Sequence, residues 1–178
     1  MELHARATRS PPEVRDLLGE LSNRLRGPQA VMLRRQPVPW AYRVFFRHIG
    51  LDPDVDRTPV EALALERLKA GGFLPRNSLD DALTVATMET GVGVWALDAD
   101  QLTGVLGIRG ATAGEAAGPG TLVVADDAGA VAVLFGDPAP GRGVTKHTTR
   151  MRLFAVEVAG VPSLYVEEAL WRCQELLG

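Results

Sequence analysis

The eight residues GVTKHTTR, positions 143 to 150, bring a histidine, three threonines and two cations together directly after a glycine loop. If the segment is extended, Thr145, His147 and Thr149 share one face, with Lys146, Thr148 and Arg150 on the other. A histidine flanked by hydroxyls can bind a carboxylate or orient a water. The same residues also suit a polar edge strand with a surface histidine. Further polar side chains stand where strands and helices are expected to end: Arg57, Asn77, Asp81 and Thr84, then Asp98 and Arg109, then Asp126 and Asp137. Stronger signatures are missing. There is no phosphate loop, dinucleotide glycine fingerprint, His-x-x-x-His or Cys-x-x-Cys, and no G-x-S-x-G elbow for a serine nucleophile. Three histidines and one cysteine do not make a zinc ligand set, so neither metal nor cofactor is expected. Gly104, Gly107 and Gly110 sit on an expected strand and mark close packing, not a nucleotide loop.

These residues have to be positioned by the stretch from 57 to 98, which reads as helix, glycine turn, helix and strand. Thr58, Pro59 and Glu61 form a capping box with proline at the first helical position. Leu63, Leu65 and Leu68 follow at helical spacing, and Gly71-Gly72 stops the helix. Asn77, Ser78, Asp80 and Asp81 offer caps for a second helix, which Gly91 ends before a strand carrying Val92, Val94, Trp95 and Leu97. Upstream, a loose tail to about Arg9 precedes a second capping box, Ser10 to Glu13, and a helix with Val14, Leu17, Leu18, Leu21 and Leu25 on one face. Gly27-Pro28 closes it, and Val31 to Leu33 form a short strand or turn. A helix then runs to Gly50 with Trp40, Tyr42, Phe45 and Phe46, an aromatic cluster that reads as core more readily than as a base-stacking platform. Downstream, strands are expected over 102–108, 121–125, 130–135 and 151–158, separated by Gly, Pro and Asp. Ser163 caps a last helix in which the lone Cys173 takes a core position. The expected architecture is α+β: N-terminal helices packed on a mostly antiparallel sheet of about five or six strands, with a C-terminal helix. Residues 1–30 are a tail and amphipathic helix, and 31–178 the main domain.

Composition narrows the class. The 178 residues are 46% hydrophobic and 23% charged, as in ordinary globular proteins. No apolar run suits a membrane span, and the first ten residues lack the apolar core of a signal peptide, so a cytoplasmic protein is expected. The net charge is −3, yet residues 1–50 hold nine arginines against four acids. A basic front end on an acidic body can contact phosphate locally, and equally reads as a solvated arginine-rich helix.

In order, the segments PVPWAYRVFFRHIG, RTPVEALALERL, GGFLPRNSLDDALTVATMETGVGVWALDAD, GIRGATAGE, LVVADDAGAVAVLFGD and VTKHTTRM resemble the editing domain of the bacterial phenylalanyl-tRNA synthetase beta subunit, built from that subunit's third and fourth modules. The resemblance covers about residues 31 to 165. It implies a pocket that accepts the 3′ end of a wrongly charged tRNA and hydrolyses the aminoacyl ester, acting in trans because the aminoacylation modules are not in this sequence. The partners it implies are tRNA and a small amino acid moiety, with no membrane and no DNA. The family's pocket histidine falls on Trp95, its threonine-asparagine pair on Leu83-Thr84, and its glycine-glycine-glutamate turn on Phe135-Gly136-Asp137. Gly114-Glu115, Asp126 and Thr149 match. On this resemblance Asp137, Thr149 and His147 hold the attacking water, and Arg57 or Arg109 anchors a phosphate or stabilises negative charge. Asp81 or Asp98 pairs the α-ammonium group, Asn77, Thr84 and Asp126 line the substrate site, and Trp95 narrows the pocket toward a smaller amino acid or a stacked base. The alternatives are a non-catalytic tRNA- or amino-acid-binding module and a protein-interaction or structural role.

Overall fold

A computed structural model describes all residues, 1–178, and its chain is α+β. The residues gather into two compact units. The helical unit comprises Ala7–Trp95 and Phe154–Gly178, and the sheet unit Met1–Arg6 and Ala96–Leu153.

In the helical unit, α1 (Pro12–Arg24), α2 (Gly27–Leu33), α3 (Pro37–His48), α4 (Pro59–Ala70) and α5 (Ser78–Thr90) are followed, after the sheet unit, by α6 (Ser163–Leu177). The α5 helix packs against both α6 and α1, and α2 packs against α4. Small residues permit the close approach of α5 and α6: Ala82, Ala86, Ala169 and Cys173 are all buried. Leu18, Leu21 and Val85 form one apolar cluster, and Leu25, Leu33, Val60 and Ala64 another, with Phe73 and Met88 against both.

Several helix ends follow the expected chemistry. The Asn77 side chain accepts hydrogen bonds from the backbone N–H groups of Leu79 and Asp80, capping α5. Gly71 and Gly91 end their helices at φ of +80° and +79°, a conformation glycine adopts without a Cβ penalty. Other ends differ. Thr58 precedes α4, but its hydroxyl donates to the Glu61 carboxylate at 2.7 Å and caps no backbone group. That places Glu61 beside the buried Arg43 guanidinium, 2.8 Å away, with Asp54 on the same arginine at 2.8 Å. Ser10 does not cap α1, whose cap position is Pro11; its hydroxyl donates to Asp81 instead. Residues 31–33 are helical, because Gly27-Pro28 opens a helix where a stop was expected. Cys173 is a core residue as expected, and within the aromatic cluster Tyr42 and Phe46 are buried while Trp40 is half exposed.

The six strands form two three-stranded sheets. In one, β1 (Glu2–His4), β6 (Arg150–Ala155) and β2 (Val94–Asp98) lie in the order β1-β6-β2, with Leu3 opposite Met151 in an antiparallel pair. The N-terminal tail therefore begins as a strand. In the other, β3 (Gly107–Gly110), β4 (Leu122–Asp126) and β5 (Gly129–Val133) form an antiparallel meander, with a register shift between Val124 and Ala125. The strand expected from Leu102 starts only at Gly107. Gly104 turns the chain at φ +75°, a conformation that favours glycine, and an added Cβ would displace the Asp127 carboxylate. No helix is long and apolar enough to cross a membrane.

Candidate functional site

The sheet unit contains a cleft of about 310 Å³ over the β4–β5 hairpin. Val123, Ala130, Ala132 and Val133 form its floor, and loops carrying Glu115–Ala117 and Asp137–Pro140 form its sides. The second loop is tied down by backbone bonds: Val133 N–H donates to the Asp137 carbonyl at 3.1 Å, and Ala139 N–H to the Val131 carbonyl at 2.8 Å. The tight reversal between them puts Phe135 at φ +61°, a conformation that costs a side-chain-bearing residue energy. Gly136 follows, where an added Cβ would come to 3.0 Å from the Val133 Cβ. The outcome of this strained turn is that Asp137 stands exposed at the lip, its carboxylate in no ion pair or side-chain hydrogen bond.

The other wall is fixed by Glu115. Arg109 grips it through both guanidinium nitrogens, at 2.6 and 2.9 Å, and the backbone N–H groups of Thr112 and Ala130 donate to it at 2.7 and 2.8 Å. The Arg109 bonds, aided by those amides, hold the Glu115 carboxyl far below the usual carboxylate range. Arg109 is correspondingly committed to Glu115 and its own loop. Glu115 is a permanent anion that shapes the cleft, and Asp137 is the carboxylate left available in it.

A second polar set lies at the ends of β2 and β4. Asp126 accepts from Thr103 N–H at 2.8 Å, Ala128 N–H at 2.9 Å and Gly129 N–H at 3.0 Å, closing the β4–β5 turn. Burial opposes its ionisation, but these three donors and the Arg142 guanidinium at 3.6 Å outweigh it, and the carboxyl sits below its ordinary value. Asp98 accepts from the Thr148 hydroxyl at 2.6 Å and from Asp100 N–H at 3.0 Å, and its own N–H donates to the Arg142 carbonyl. Arg142 thus links the two aspartates. Both are structural acceptors with their oxygens engaged.

The segment 143–150 is not extended. Thr148 N–H donates to the Thr145 carbonyl at 3.1 Å, and His147 N–H to the Thr145 hydroxyl at 3.2 Å, so 145–148 is a turn. Within it Thr148 is the buried residue, while His147 and Thr149 are exposed and do not line the cleft. The shared face expected of Thr145, His147 and Thr149 does not form, because a threonine three residues after another satisfies the turn's own backbone. Thr148 and Arg142 are the polar residues the sequence reading missed; the Thr-x-x-Thr spacing was the available signal for the first.

The remaining candidates belong to the helical unit. Asn77 caps α5, and Thr84 donates to the Asp80 carbonyl one turn earlier. Asp81 is buried and accepts from Ser10 and from Arg76 N–H. Arg57 lies 3.7 Å from Asp54 and donates to the Pro53 carbonyl at 3.4 Å. Trp95 stacks on Phe154 with centroids 5.7 Å apart, over a space that only Gly93 leaves open: a Cβ there would be 2.5 Å from the indole. Each of these has a packing or capping role. Among all residues, no three His, Cys, Asp or Glu side chains gather as a metal-holding group. No protein-family model and no curated protein sequence matches the chain.

Proposed function

We propose that this chain is an editing-type domain that binds the 3′ end of a tRNA and hydrolyses, in trans, the ester of a mischarged aminoacyl-tRNA. The observation that carries the reading is Asp137, a free carboxylate held by a strained turn at the lip of an amino-acid-sized cleft. It stands where the resemblance to the synthetase editing domain puts the acid of the editing turn. An aminoacyl ester is already activated, so its hydrolysis asks for a placed water more than for a strong base. Asp137 accepts a proton from water as the water oxygen bonds to the ester carbonyl carbon. The bond from that carbon to the ribose oxygen then breaks, and the proton passes to the ribose oxygen. His147 and Thr149, which do not line the cleft, have no direct part in this version. Ala116, Ala117, Ala130, Ala132 and Ala139 give the cleft its small-residue lining, which suits a small amino acid side chain.

A second reading, binding without turnover, is favoured by one observation: Glu115 is locked to Arg109, leaving a single free carboxylate. A panel of mischarged tRNAs incubated with the full chain separates the two. Hydrolysis predicts ester loss on at least one pairing, slowed roughly 100-fold in Asp137→Asn. Saturable binding with an unchanged ester half-life selects the second reading.

A further inference from the structure

Between Glu20 and Asp52 the chain carries six arginines and no acidic residue. Arg43 and Arg34 are turned toward Glu61 and Asp54. Arg24, Arg26 and Arg35 make no ion pair. The Arg47 guanidinium lies over the Trp40 indole, its Cζ 5.7 Å from the ring centroid. Trp40 is 50% exposed, on a helix whose neighbouring Tyr42 and Phe46 are buried. An indole left half in water adds little to the core. A guanidinium that rests one face on an aromatic ring, with no acid partner, keeps its N–H edge free for an anion.

The surface continues beyond α3. Gln36, Pro37 and Pro39 lead from it into a cleft of about 450 Å³ whose far side holds Gly91, Pro162 and Tyr165. Tyr165 is 42% exposed. The acid in this cleft, Glu89, is neutralised by Arg172 at 2.8 Å. An exposed indole carrying an unneutralised arginine, next to a cleft with a second exposed ring, matches what a single nucleic acid strand needs, with bases stacking on the rings and phosphates meeting the cations. An acidic peptide would use the arginines and leave the rings idle.

We infer that the exposed face of α3 and the adjoining cleft bind single-stranded RNA, with Trp40 and Tyr165 as stacking platforms and Arg35 and Arg47 as phosphate contacts. The inference deepens the proposed function and rests on it in one respect: there, the strand is a single-stranded stretch of the tRNA. The test is a fluorescence-anisotropy titration of the full chain with a short, unacylated oligoribonucleotide ending in CCA. Affinity is expected to fall more than tenfold between about 50 and 200 mM salt, and Arg35→Gln and Arg47→Gln should each lower the salt slope by about one. Trp40→Ala should weaken binding about tenfold at fixed salt, and Trp40→Phe, which keeps a ring and guards against misfolding, should restore most of it. Equal affinity in Trp40→Ala and Arg47→Gln overturns the inference. So does salt-insensitive or absent RNA binding, including the case in which the protein binds phosphatidylserine vesicles or itself instead. Because the oligonucleotide carries no ester, failure of the deacylation assay and failure of this one are separate results.

Discussion

The Thr148 hydroxyl donates a 2.6 Å hydrogen bond to the Asp98 carboxylate, joining the turn before β6 to the end of β2 across 50 residues of chain. The same oxygen accepts from Thr145 N–H at 3.0 Å. Thr148→Val keeps the shape and removes both bonds, leaving a carboxylate oxygen and an N–H without partners. A loss of roughly 1–3 kcal/mol is expected in urea unfolding, with Thr148→Ser much closer to the parent. An unchanged midpoint in the valine variant would remove this bond from the account of the fold.

The Arg43–Glu61 pair makes a larger claim. Both side chains are buried, and Glu61 also accepts from Thr58. Glu61→Ala strands a guanidinium away from water with only Asp54 and the Pro53 carbonyl to hold it. The expected cost is roughly 3–5 kcal/mol, whereas replacing both partners by apolar residues of similar size should cost clearly less than the sum of the single changes. Additive losses in that double-mutant cycle would show the two residues to be energetically independent.

Alkaline pH offers a third check. Burial pushes the Cys173 thiol from 9.0 up to about 12. Burial, with the Glu157 charge second, also lifts the Tyr42 phenol above its ordinary range. Each group is held neutral in the fold and ionises more readily in the unfolded chain, so the unfolded state gives up protons first as pH rises. The stability tied to Cys173 is therefore complete below about pH 9 and declines from there toward pH 12. Urea midpoints on either side of pH 9 should show the decline, shallower in Cys173→Ala. At pH 8 iodoacetamide should label the thiol only once urea has opened the protein, and rapid native labelling would contradict the burial.

Much of the helical unit was legible from short-range chemistry. Asn77, Gly71 and Gly91 delimit their helices because a cap side chain and a left-handed glycine act on backbone groups within a few residues. Ser10 shows where that logic stops. Its spacing to Glu13 fits a capping box, yet a buried carboxylate 71 positions away is the stronger acceptor for its hydroxyl. The strand of residues 2–4 was equally invisible, since its pairing partner lies at Arg150–Arg152. In the site, Asp137 and Glu115 could be singled out, but the bidentate grip of Arg109 that disqualifies Glu115 as a base depends on the fold of an intervening loop. The arginine-rich segment was visible as composition. Nearness in sequence groups its aromatics as one cluster, although Trp40 and Tyr42, two residues apart on a helix, point to different sides, one to water and one to the core.

The sheet unit interrupts the helical unit, and the helix that packs on α5 arrives only with the last fifteen-odd residues of the chain. On the ribosome, α5 therefore emerges long before α6, and its small-residue side, with Ala82 and Ala86, waits for that partner while residues 96–153 are made. The β3–β4–β5 meander, whose pairings are local, can form during that wait. The helical unit closes only once residues 163–177 have emerged, so a nascent chain halted before residue 163 would be the species most exposed to capture by chaperones.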